Sequence, residues 1–254
     1  MAKTALITGA SSGLGAEFAR QLAARGADLV LVARDRAALD EIADRLRAEH
    51  RVRVEVLVAD LVDPAGLDAV ASRLADPARA VGILVNNAGF GLDLDFAAND
   101  IADEDRHLDL HVRATMRLSH AALGAMLARG RGRIVNVASV AAFLPRGTYG
   151  AVKAWIVSFS RWANARYAAQ GVSVTAVCPG FVHTNFHERL GLPPGQEGIP
   201  SFLWLDAQDV VREGLRDAAR GRAVSIPSLR YKVLVGAARL APAALVARLA
   251  ATGR

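Results

Sequence analysis

The sequence predicts an α/β fold in which a parallel sheet is covered by helices on both faces. Short β-branched runs alternate with longer amphipathic runs, a pattern typical of repeated βα units. The short runs are apolar almost throughout, as expected of strands buried on both faces. A glycine-rich turn follows the first run, and no repeat or low-complexity linker divides the 254 residues. We therefore predict a single doubly wound, Rossmann-type domain with a parallel seven-stranded sheet.

Each predicted strand is a short run rich in β-branched and aliphatic residues. These runs are Thr4–Thr8, Asp28–Ala33, Val52–Val58, Val81–Val85, Arg133–Ala138, Ser173–Val177 and Ala223–Ile226. The longer segments between them are predicted helices, because their apolar residues recur at helical spacing. These segments are residues 14–25, 36–49, 65–75, 101–129, 149–169 and 206–219. Asp63-Pro64 supports the start of the third helix by supplying a cap and a first-turn proline.

A long loop interrupts this alternation near the end of the predicted catalytic domain, which spans residues 1–228. Residues 185–205 are rich in glycine and proline and also contain large apolar side chains. A loop of this length inside a compact domain is usually functional, so we predict an apolar lid. A passive surface loop is the alternative.

The remaining residues, 229–254, are predicted to form a basic amphipathic C-terminal tail. One helical face carries only apolar or small residues, namely Leu229, Val233, Gly236, Ala237 and Leu240. We expect the tail to pack on the domain. The alternatives are packing on a partner subunit and peripheral contact with an anionic membrane surface.

Composition favours a soluble globular enzyme in the cytoplasm. Hydrophobic residues make up 52% of the chain and charged residues 22%. No apolar run approaches the roughly 20 residues that span a bilayer, and residues 4–10 are too short for a secretory signal. The single cysteine, Cys178, excludes an intrachain disulfide and fits a reducing compartment. The net charge of +6 raises nucleic acid as a partner, but without a recognition motif we predict none.

The glycine-rich turn predicts a dinucleotide site. Gly9, Gly13 and Gly15 allow the backbone to approach a pyrophosphate, and the next helix directs its N-terminal amides to the phosphates. A purely structural turn is the alternative.

The second strand is followed by Arg34, where an NAD site carries a carboxylate. Because an arginine can pair with a 2′-phosphate, we predict NADP(H); a solvated surface arginine is the alternative.

Tyr149 and Lys153 predict the catalytic chemistry. Four residues apart in a predicted helix, they share a face, and we expect the ammonium to lower the pKa of the phenol. Such a phenol can exchange a proton with an alcohol or carbonyl oxygen. Ser139, just after the fifth strand, would donate a hydrogen bond to that oxygen. The alternatives are a core aromatic for Tyr149 and a turn cap for Ser139. No metal site is predicted.

In these motifs the chain resembles the short-chain dehydrogenase/reductase family over almost its whole length. The matching residues are Thr8-Gly9-x-x-x-Gly13-x-Gly15, Asp60-Leu61, Asn86-Asn87-Ala88-Gly89, Ser139, Tyr149-x-x-x-Lys153 and Pro179-Gly180-Phe181-Val182-x-Thr184. By this resemblance Asp60 and Leu61 hold adenine, and Lys153 also bonds the nicotinamide ribose. Val182 and Thr184 hold the carboxamide. The implied cofactor-binding residues are Gly9, Ser11, Ser12, Gly13, Leu14, Gly15, Arg34, Asp60, Leu61, Asn87, Ala88, Gly89, Tyr149, Lys153, Pro179, Gly180, Val182 and Thr184.

The sequence departs from the family pattern at two places. The family asparagine that helps anchor a water-mediated proton relay is replaced by His111. Histidine can hydrogen-bond and titrates near neutrality, so we consider a substituted catalytic relay and a structural histidine equally. Fewer residues separate Ser139 from Tyr149 than is usual in the family, so the loop at the substrate mouth is expected to be short.

We therefore predict an NADP(H)-dependent oxidoreductase that transfers hydride between nicotinamide and a ketone, aldehyde or secondary alcohol. Apolar residues expected around the pocket suggest a small lipophilic substrate; they are Phe90, Phe143, Leu144, Phe181, Phe186, Leu203 and Trp204. The alternative is a catalytically weak NADP(H)-sensing module on the same fold. The family resemblance also implies a homodimer or homotetramer.

Overall fold

The computed structural model describes residues 4–184 and 200–242. Its strands are β1 Thr4–Thr8, β2 Asp28–Ala33, β3 Val54–Val58, β4 Ile83–Asn86, β5 Gly132–Val137, β6 Val172–Val177 and β7 Val224–Ser225. They form one parallel sheet in the order β3-β2-β1-β4-β5-β6-β7, which confirms the predicted architecture. The order reverses between β1 and β4, so the connections that follow these strands diverge and leave a crevice at the carboxyl edge.

The helices lie close to their predicted positions, with one exception. They are α1 Gly13–Ala23, α2 Arg36–His50, α3 Pro64–Ala75, α4 Ile101–Leu108, α5 Thr115–Ala128, α6 Gly147–Tyr167, α7 Ala207–Ala219 and α8 Leu229–Leu240. The single helix predicted over residues 101–129 is instead divided by a π-helical segment, Asp109–Ala114. A π turn adds one residue to a helical turn, and the apolar pattern on either side does not reveal it.

Adjacent residues of the central strands point to opposite faces of the sheet and fill two cores. In β1, Leu6 enters one core and Ile7 the other; Leu84 and Val85 of β4 divide in the same way. One core packs against α1, α2 and α7, and the other against α3, α5 and α6. Because both faces are covered, the strands require the nearly continuous apolar runs seen in the sequence.

Aspartate side chains fix the starts of four helices. Asp35, Asp63, Asp100 and Asp206 each accept a hydrogen bond from a backbone N–H in the first turns of α2, α3, α4 and α7. In α3, Pro64 follows the cap directly, as predicted. These carboxylates satisfy amides that have no partner within the helix, and each cap is worth about 0.5–2 kcal/mol.

A buried polar network joins β4 and β5 to the helices behind them. Asn136 Oδ1 accepts from Asn86 Nδ2 at 2.9 Å, and Asn136 Nδ2 donates to Ser160 Oγ at 2.9 Å. Asn86 Nδ2 also donates to Ser119 Oγ at 3.1 Å. Leaving such a buried group without its partner costs about 1–3 kcal/mol, so the network holds β4, β5, α5 and α6 together beneath the carboxyl edge.

The described part of the tail is α8, which packs on the domain through the buried residues Tyr231 and Val235. The apolar face predicted from the sequence is not the packing face. Leu229, Val233 and Leu240 are 74%, 63% and 90% exposed. Tyr231 determines the orientation, because its hydroxyl takes part in two hydrogen bonds to the backbone of the domain.

Several predictions concern residues outside the described ranges. These are most of the predicted lid, residues 185–199, including Phe186, and the tail beyond residue 242. The end of the lid is described: it contains a 3₁₀ turn, Ser201–Leu203, and Leu205 pairs with Val182. Within residues 4–184 and 200–242, no helix has both the length and the apolar character needed to cross a membrane.

Candidate active site

The predicted site residues converge at the carboxyl ends of four neighbouring strands. β1, β4, β5 and β6 end at Thr8, Asn86, Val137 and Val177, and each is followed within two residues by a predicted motif. Open α/β sheets bind their ligands at this edge, beside the point where the strand order reverses.

The glycine turn between β1 and α1 leaves no room for side chains. A Cβ on Gly15 would lie 2.0 Å from the carbonyl oxygen of Gly9, and a Cβ on Gly9 would lie 2.9 Å from Ala88 Cα. Gly9 and Gly13 also have positive φ angles, +64° and +53°. The first turn of α1 contains no acidic residue, so no carboxylate there competes for its amides. The turn is therefore suited to hold an anionic group against the backbone.

The other turn residues continue this surface. Ser11 is partly exposed, and Ser12 is the N-cap of α1 with an extended backbone (φ −165°, ψ 172°). Leu14 packs against the core under α1 and also against the cluster that contains Val182 and Leu205. The predicted nucleotide residues of the turn are thus contiguous with those that follow β6.

Thr8 and Asn87 join the glycine turn to the segment after β4. Thr8 Oγ1 accepts from the backbone N–H groups of Asn87 and Ala88 at 2.9 and 3.0 Å. In return, Asn87 Nδ2 donates to the carbonyl oxygens of Thr8 and Gly9 at 2.9 and 3.2 Å. These bonds form the base of the crevice and hold Asn87 and Ala88 next to the glycine turn.

The segment after β6 crosses back to the glycine turn. The carbonyl of Pro179 accepts from Val140 N at 2.9 Å, which ties the segment to the residues after β5. At its far end, a Cβ on Gly13 would lie 3.3 Å from Thr184 Cβ. The predicted motif from Pro179 to Thr184 therefore spans the crevice from the catalytic side to the nucleotide side.

Tyr231 of α8 supports this segment, and the sequence analysis did not identify it as a site residue. A Cβ on Gly180 would lie 1.9 Å from Tyr231 Cζ, so the ring covers the glycine. The Tyr231 hydroxyl accepts from Phe181 N at 3.1 Å and donates to Leu203 O at 2.7 Å. Nothing in the local sequence marks this tyrosine, because its partners are backbone groups of distant segments.

Arg34 and Asp60 meet at the adenine side of the crevice predicted from the sequence. Arg34 Nη1 lies 4.0 Å from Asp60 Oδ2, and the arginine side chain is 71% exposed. Asp60 Oδ1 accepts from Val62 N at 3.0 Å, while the side chain of Leu61 is buried. An exposed ion pair of this kind is worth at most about 1 kcal/mol, so Asp60 does not prevent Arg34 from binding a phosphate.

Ser139 and Tyr149 are hydrogen-bonded through their side chains, despite the short loop between them. Ser139 also caps the 3₁₀ turn Val140–Phe143, because its Oγ accepts from Ala141 N at 3.1 Å. The serine therefore acts as the predicted turn cap and also contacts the tyrosine. A 3₁₀ turn followed by the start of α6 is sufficient to span the shortened connection.

Lys153 lies one helical turn beyond Tyr149 and is almost completely buried. Its Nζ donates to the carbonyl oxygen of Val137 at 2.9 Å and lies 5.5 Å from the centre of the Tyr149 ring. The helix thus brings both groups to the carboxyl end of β5, as the four-residue spacing predicted.

The pKa of Tyr149 is raised, whereas the sequence analysis expects the nearby ammonium to lower it. Burial raises the pKa of Tyr149 to about 12, although the hydrogen bond with Ser139 and the charge of Arg146 oppose this change. Burial also lowers the pKa of Lys153 to about 7. Desolvation disfavours the charged form of each group and is the largest cause of both shifts. Near neutrality the pair is therefore a protonated phenol beside a partly charged amine.

His111 lies within the π-helical segment and is buried beneath the residues that follow β4. Its Nε2 lies 2.8 Å from the carbonyl oxygen and 3.2 Å from the backbone nitrogen of Phe90, so it can donate to the first or accept from the second, depending on which ring nitrogen carries the proton. A Cβ on Gly89 would lie 2.3 Å from His111 Cε1, which places the ring directly against Gly89. Burial lowers the pKa of His111 well below its usual value, so the ring is neutral at physiological pH.

Described members of the predicted pocket form two aromatic groups. Phe181 and Trp204 are in ring contact at 5.9 Å, and Trp204 stacks on His183 at 4.7 Å. In the second group, Phe90 contacts His107, a buried residue absent from the sequence predictions. The predicted apolar residues are thus accompanied by imidazoles, which apolar patterning does not identify.

An open parallel sheet with a nucleotide cradle beside a serine–tyrosine–lysine cluster is an architecture of dinucleotide-dependent oxidoreductases. Comparison with known proteins narrows this class. The chain belongs to the short-chain dehydrogenase family, because the protein-family model described as "short chain dehydrogenase" matches residues 3–193. The resemblance stated from the motifs is therefore confirmed.

Similar proteins agree with this assignment. The short-chain dehydrogenase from Sphingobium yanoikuyae in complex with NADPH is 40% identical, with a TM-score of 0.84 and 93% of each chain covered. The bulky-bulky ketone specific alcohol dehydrogenase from Comamonas testosteroni is 35% identical, with a TM-score of 0.80 over 93% of this chain and 92% of that one. Sulfoacetaldehyde reductase 2 from Chromohalobacter salexigens is 37% identical over 85% of this chain and 86% of its own length.

We expect Lys153→Met to change how stability depends on pH. The pKa of Lys153 is near 7 in the folded protein and higher in the unfolded chain. Between these values the unfolded chain binds more protons, so this residue makes the free energy of unfolding rise with pH. From about pH 7 to about pH 9 the wild type should gain up to about 1.4 kcal/mol per pH unit relative to the variant.

Urea denaturation at a series of pH values measures this difference. The control is Lys232→Met, which removes a lysine paired with Glu213 at the surface and should leave the slope unchanged. Parallel stability curves for the wild type and Lys153→Met would show that the ammonium is not desolvated as described.

Proposed function

We propose that the protein is an NADP(H)-dependent oxidoreductase that transfers hydride between nicotinamide and a ketone, aldehyde or secondary alcohol. The observation that carries this proposal is the hydrogen-bonded pair Ser139 and Tyr149, with Lys153 one turn away, beside the glycine cradle. A polar cluster of this kind supplies a proton and a hydrogen-bond donor to one oxygen atom.

The residues at the crevice fit a dinucleotide. The glycine turn lacks side chains that would keep a pyrophosphate away from the backbone. The first turn of α1 contains no acidic residue that would repel the phosphates. Arg34 is exposed and positively charged where a ribose 2′-phosphate would lie, which supports NADP(H) over NAD(H). The NADPH complex of the Sphingobium yanoikuyae relative supports the same choice. When bound, the cofactor supplies or accepts the hydride.

The catalytic residues are better suited to reduction than to oxidation in the state described. Tyr149 retains its proton near neutrality and can donate it to a carbonyl oxygen that gains charge. Ser139 is positioned to donate a hydrogen bond to the same oxygen. The Lys153 ammonium, 5.5 Å from the centre of the Tyr149 ring, can return a proton to the tyrosine after the transfer, and its lowered pKa makes that donation easier.

The pocket residues support a lipophilic substrate. Phe90, Phe181 and Trp204 are partly buried beside the catalytic side, so they offer apolar surface to a bound molecule. The ketone specificity named for the Comamonas testosteroni relative agrees with this interpretation, whereas the aldehyde named for the Chromohalobacter salexigens relative is a smaller molecule. We therefore place bulky ketones first among candidate substrates.

Tyr149→Phe tests the catalytic assignment. With NADPH and a panel of bulky ketones and aldehydes, we expect the variant to lose about 10²- to 10⁴-fold in kcat, because its proton donor is gone. NADPH binding should persist. Tyr167→Phe at the end of the same helix is the control and should retain activity.

The panel also separates the proposed enzyme from a sensing module. Tight NADPH binding by the wild type without turnover of any carbonyl would favour the catalytically weak NADP(H) sensor. Turnover that survives in Tyr149→Phe would exclude this tyrosine as the acid.

Arg34→Ala tests the cofactor choice. Loss of the guanidinium should weaken NADPH binding about tenfold, equivalent to ~1.4 kcal/mol, and leave NADH binding almost unchanged. Fluorescence titration with both nucleotides measures the effect. Arg45→Ala, an exposed arginine on the outer side of α2, is the matched control. Equal affinities for NADPH and NADH in the wild type would contradict the assignment.

We further propose that the protein forms a homo-oligomer through the outer surface of α4, α5 and α6. Leu108, Met116 and Trp162 are large apolar residues exposed on these helices, and Trp162 is 57% exposed. Trp162 continues an aromatic row, because its ring lies 6.1 Å from Phe159, which stacks on Trp155. A contiguous aromatic surface of this kind is typical of protein interfaces, and the expected occupant is a second copy of the chain.

Trp162→Arg should dissociate the oligomer. Central interface tryptophans often contribute 2 kcal/mol or more, so we expect the dissociation constant to rise more than about tenfold. Sedimentation velocity across a concentration series measures this. Leu229→Arg on α8 is the control, since Leu229 is exposed but lies away from this surface. A monomeric wild type would overturn the proposal.

A further inference from the structure

Arg146 places a positive charge beside the catalytic tyrosine, and the proposed mechanism does not use it. It lies in the short connection between Ser139 and Tyr149, as the last residue before α6. Its side chain is partly buried. Within residues 4–184 and 200–242, this side chain forms no ion pair and no hydrogen bond. The guanidinium therefore keeps its donors for another group.

Packing against the first turn of α6 holds the backbone of Arg146 in place. The carbonyl oxygen of Arg146 accepts from Gly150 N at 2.8 Å. A Cβ on Gly150 would lie 3.3 Å from Arg146 Cβ and 3.0 Å from the carbonyl oxygen of Leu144, so the connection lies directly against the helix. A Cβ on Gly147 would lie 3.5 Å from Leu94 Cδ2, in the exposed loop before α4. The connection and this loop thus meet at the start of α6, next to the catalytic tyrosine.

The charge of Arg146 reaches the phenol of Tyr149. Burial raises the pKa of Tyr149, and both the hydrogen bond with Ser139 and the charge of Arg146 oppose that rise. Burial likewise lowers the pKa of Arg146, and the tyrosine partly offsets this change. Because charge interactions weaken with distance and are screened by water, the guanidinium and the phenol belong to the same part of the site.

Arginines that are removed from water usually pair with a carboxylate. Elsewhere in this protein, the buried Arg73 pairs with Glu55 at 2.9 Å, and the partly buried Arg113 pairs with Asp109 at 3.0 Å. Arg146 is also partly desolvated, and a guanidinium stays charged at every physiological pH. An uncompensated charge beside the catalytic tyrosine is explained if its anionic partner arrives with a ligand.

The acidic residues of the adjoining loop do not supply this partner. Asp93 and Asp95 flank Leu94, but both are exposed to solvent. Asp93 Oδ1 accepts from Asp95 N at 3.2 Å, and in the described part of the chain neither carboxylate pairs with Arg146. The positive charge at the start of α6 is therefore not neutralised from this side.

A carboxylate is the group that a guanidinium binds best. The planar fork of an arginine donates two parallel hydrogen bonds to the two oxygens of a carboxylate. Such charged hydrogen bonds are stronger where water is partly excluded, as it is at Arg146. A molecule whose carbonyl oxygen contacts Ser139 and Tyr149 can therefore also present a carboxylate to Arg146.

We propose that Arg146 binds a carboxylate of the substrate, so that the preferred substrates are keto acids with an apolar body. The inference rests on the proposed function, because it assumes that Ser139 and Tyr149 hold the carbonyl. Two fixed points then orient the molecule: the carbonyl lies at the tyrosine and the carboxylate at the start of α6. The apolar surface of Phe90, Phe181 and Trp204 remains available to the rest of the substrate.

Aryl ketones with a terminal carboxylate, each paired with its methyl ester, test the proposal. The series 4-oxo-4-phenylbutanoate, 5-oxo-5-phenylpentanoate and 6-oxo-6-phenylhexanoate varies the spacing between the carbonyl and the carboxylate. With NADPH, the wild type should reduce the best acid with a kcat/KM at least about tenfold above that of its ester, mainly through a lower KM. Arg146→Gln should reduce this acid-to-ester ratio by about ten- to a hundredfold.

The ratio separates contact with the substrate from an effect on the tyrosine. Loss of the charge acts on Tyr149 equally with acid and ester, so an equal loss for both in Arg146→Gln would overturn the proposal. Arg146→Lys keeps the charge without the fork and should retain part of the preference. Arg131→Gln removes an exposed arginine just before the amino end of β5 and should keep the wild-type ratio.

The wild type alone distinguishes this inference from the proposed function. If it reduces the esters as well as the acids at every spacing, the role of Arg146 is overturned and the proposed function stands. If it reduces neither acids nor esters, nor any carbonyl of the wider panel, the proposed function is refuted and this inference with it.

Discussion

The hydrogen bonds between Thr8 and Asn87 hold together the two segments that diverge at the switch point of the sheet. Without them, the glycine turn after β1 and the residues after β4 would be separate loops. Their close approach explains why Gly9 lacks space for a side chain. The residues after β4 also include Gly89, which lies against His111 of the π-helical segment. The bonds between Thr8 and Asn87 therefore position the glycine turn relative to the π-helical segment that carries His111.

Desolvation then determines the protonation states of Tyr149 and Lys153. Burial moves the pKa of Tyr149 upward and that of Lys153 downward, so both side chains favour their neutral forms. A phenol that keeps its proton is ready to donate it, and an amine near neutrality can exchange one with its surroundings.

Much of this organisation could be predicted from the sequence because it depends on local patterns. Alternating apolar runs identified the sheet, and the spacing of Tyr149 and Lys153 identified their shared helical face. The unpredicted features arise from contacts between distant segments. The π-helical segment is invisible to apolar periodicity, and the pKa directions depend on burial, which the spacing of two residues does not measure. The burial of His107 was not predicted either, because a single histidine in a polar helix is usually a surface residue.

The packing of α8 shows that the site also depends on residues beyond the sheet. The sequence predicts this helix as part of a tail outside the domain of residues 1–228, yet Tyr231 covers Gly180 and its hydroxyl accepts a hydrogen bond from the backbone of Phe181. The same hydroxyl donates to Leu203, at the end of the predicted lid. One side chain thus joins the cofactor segment after β6 to the described end of the lid. Because hydrogen bonds to partly buried backbone groups are costly to break, any displacement of Leu203 must either preserve this contact or release the support beneath Gly180.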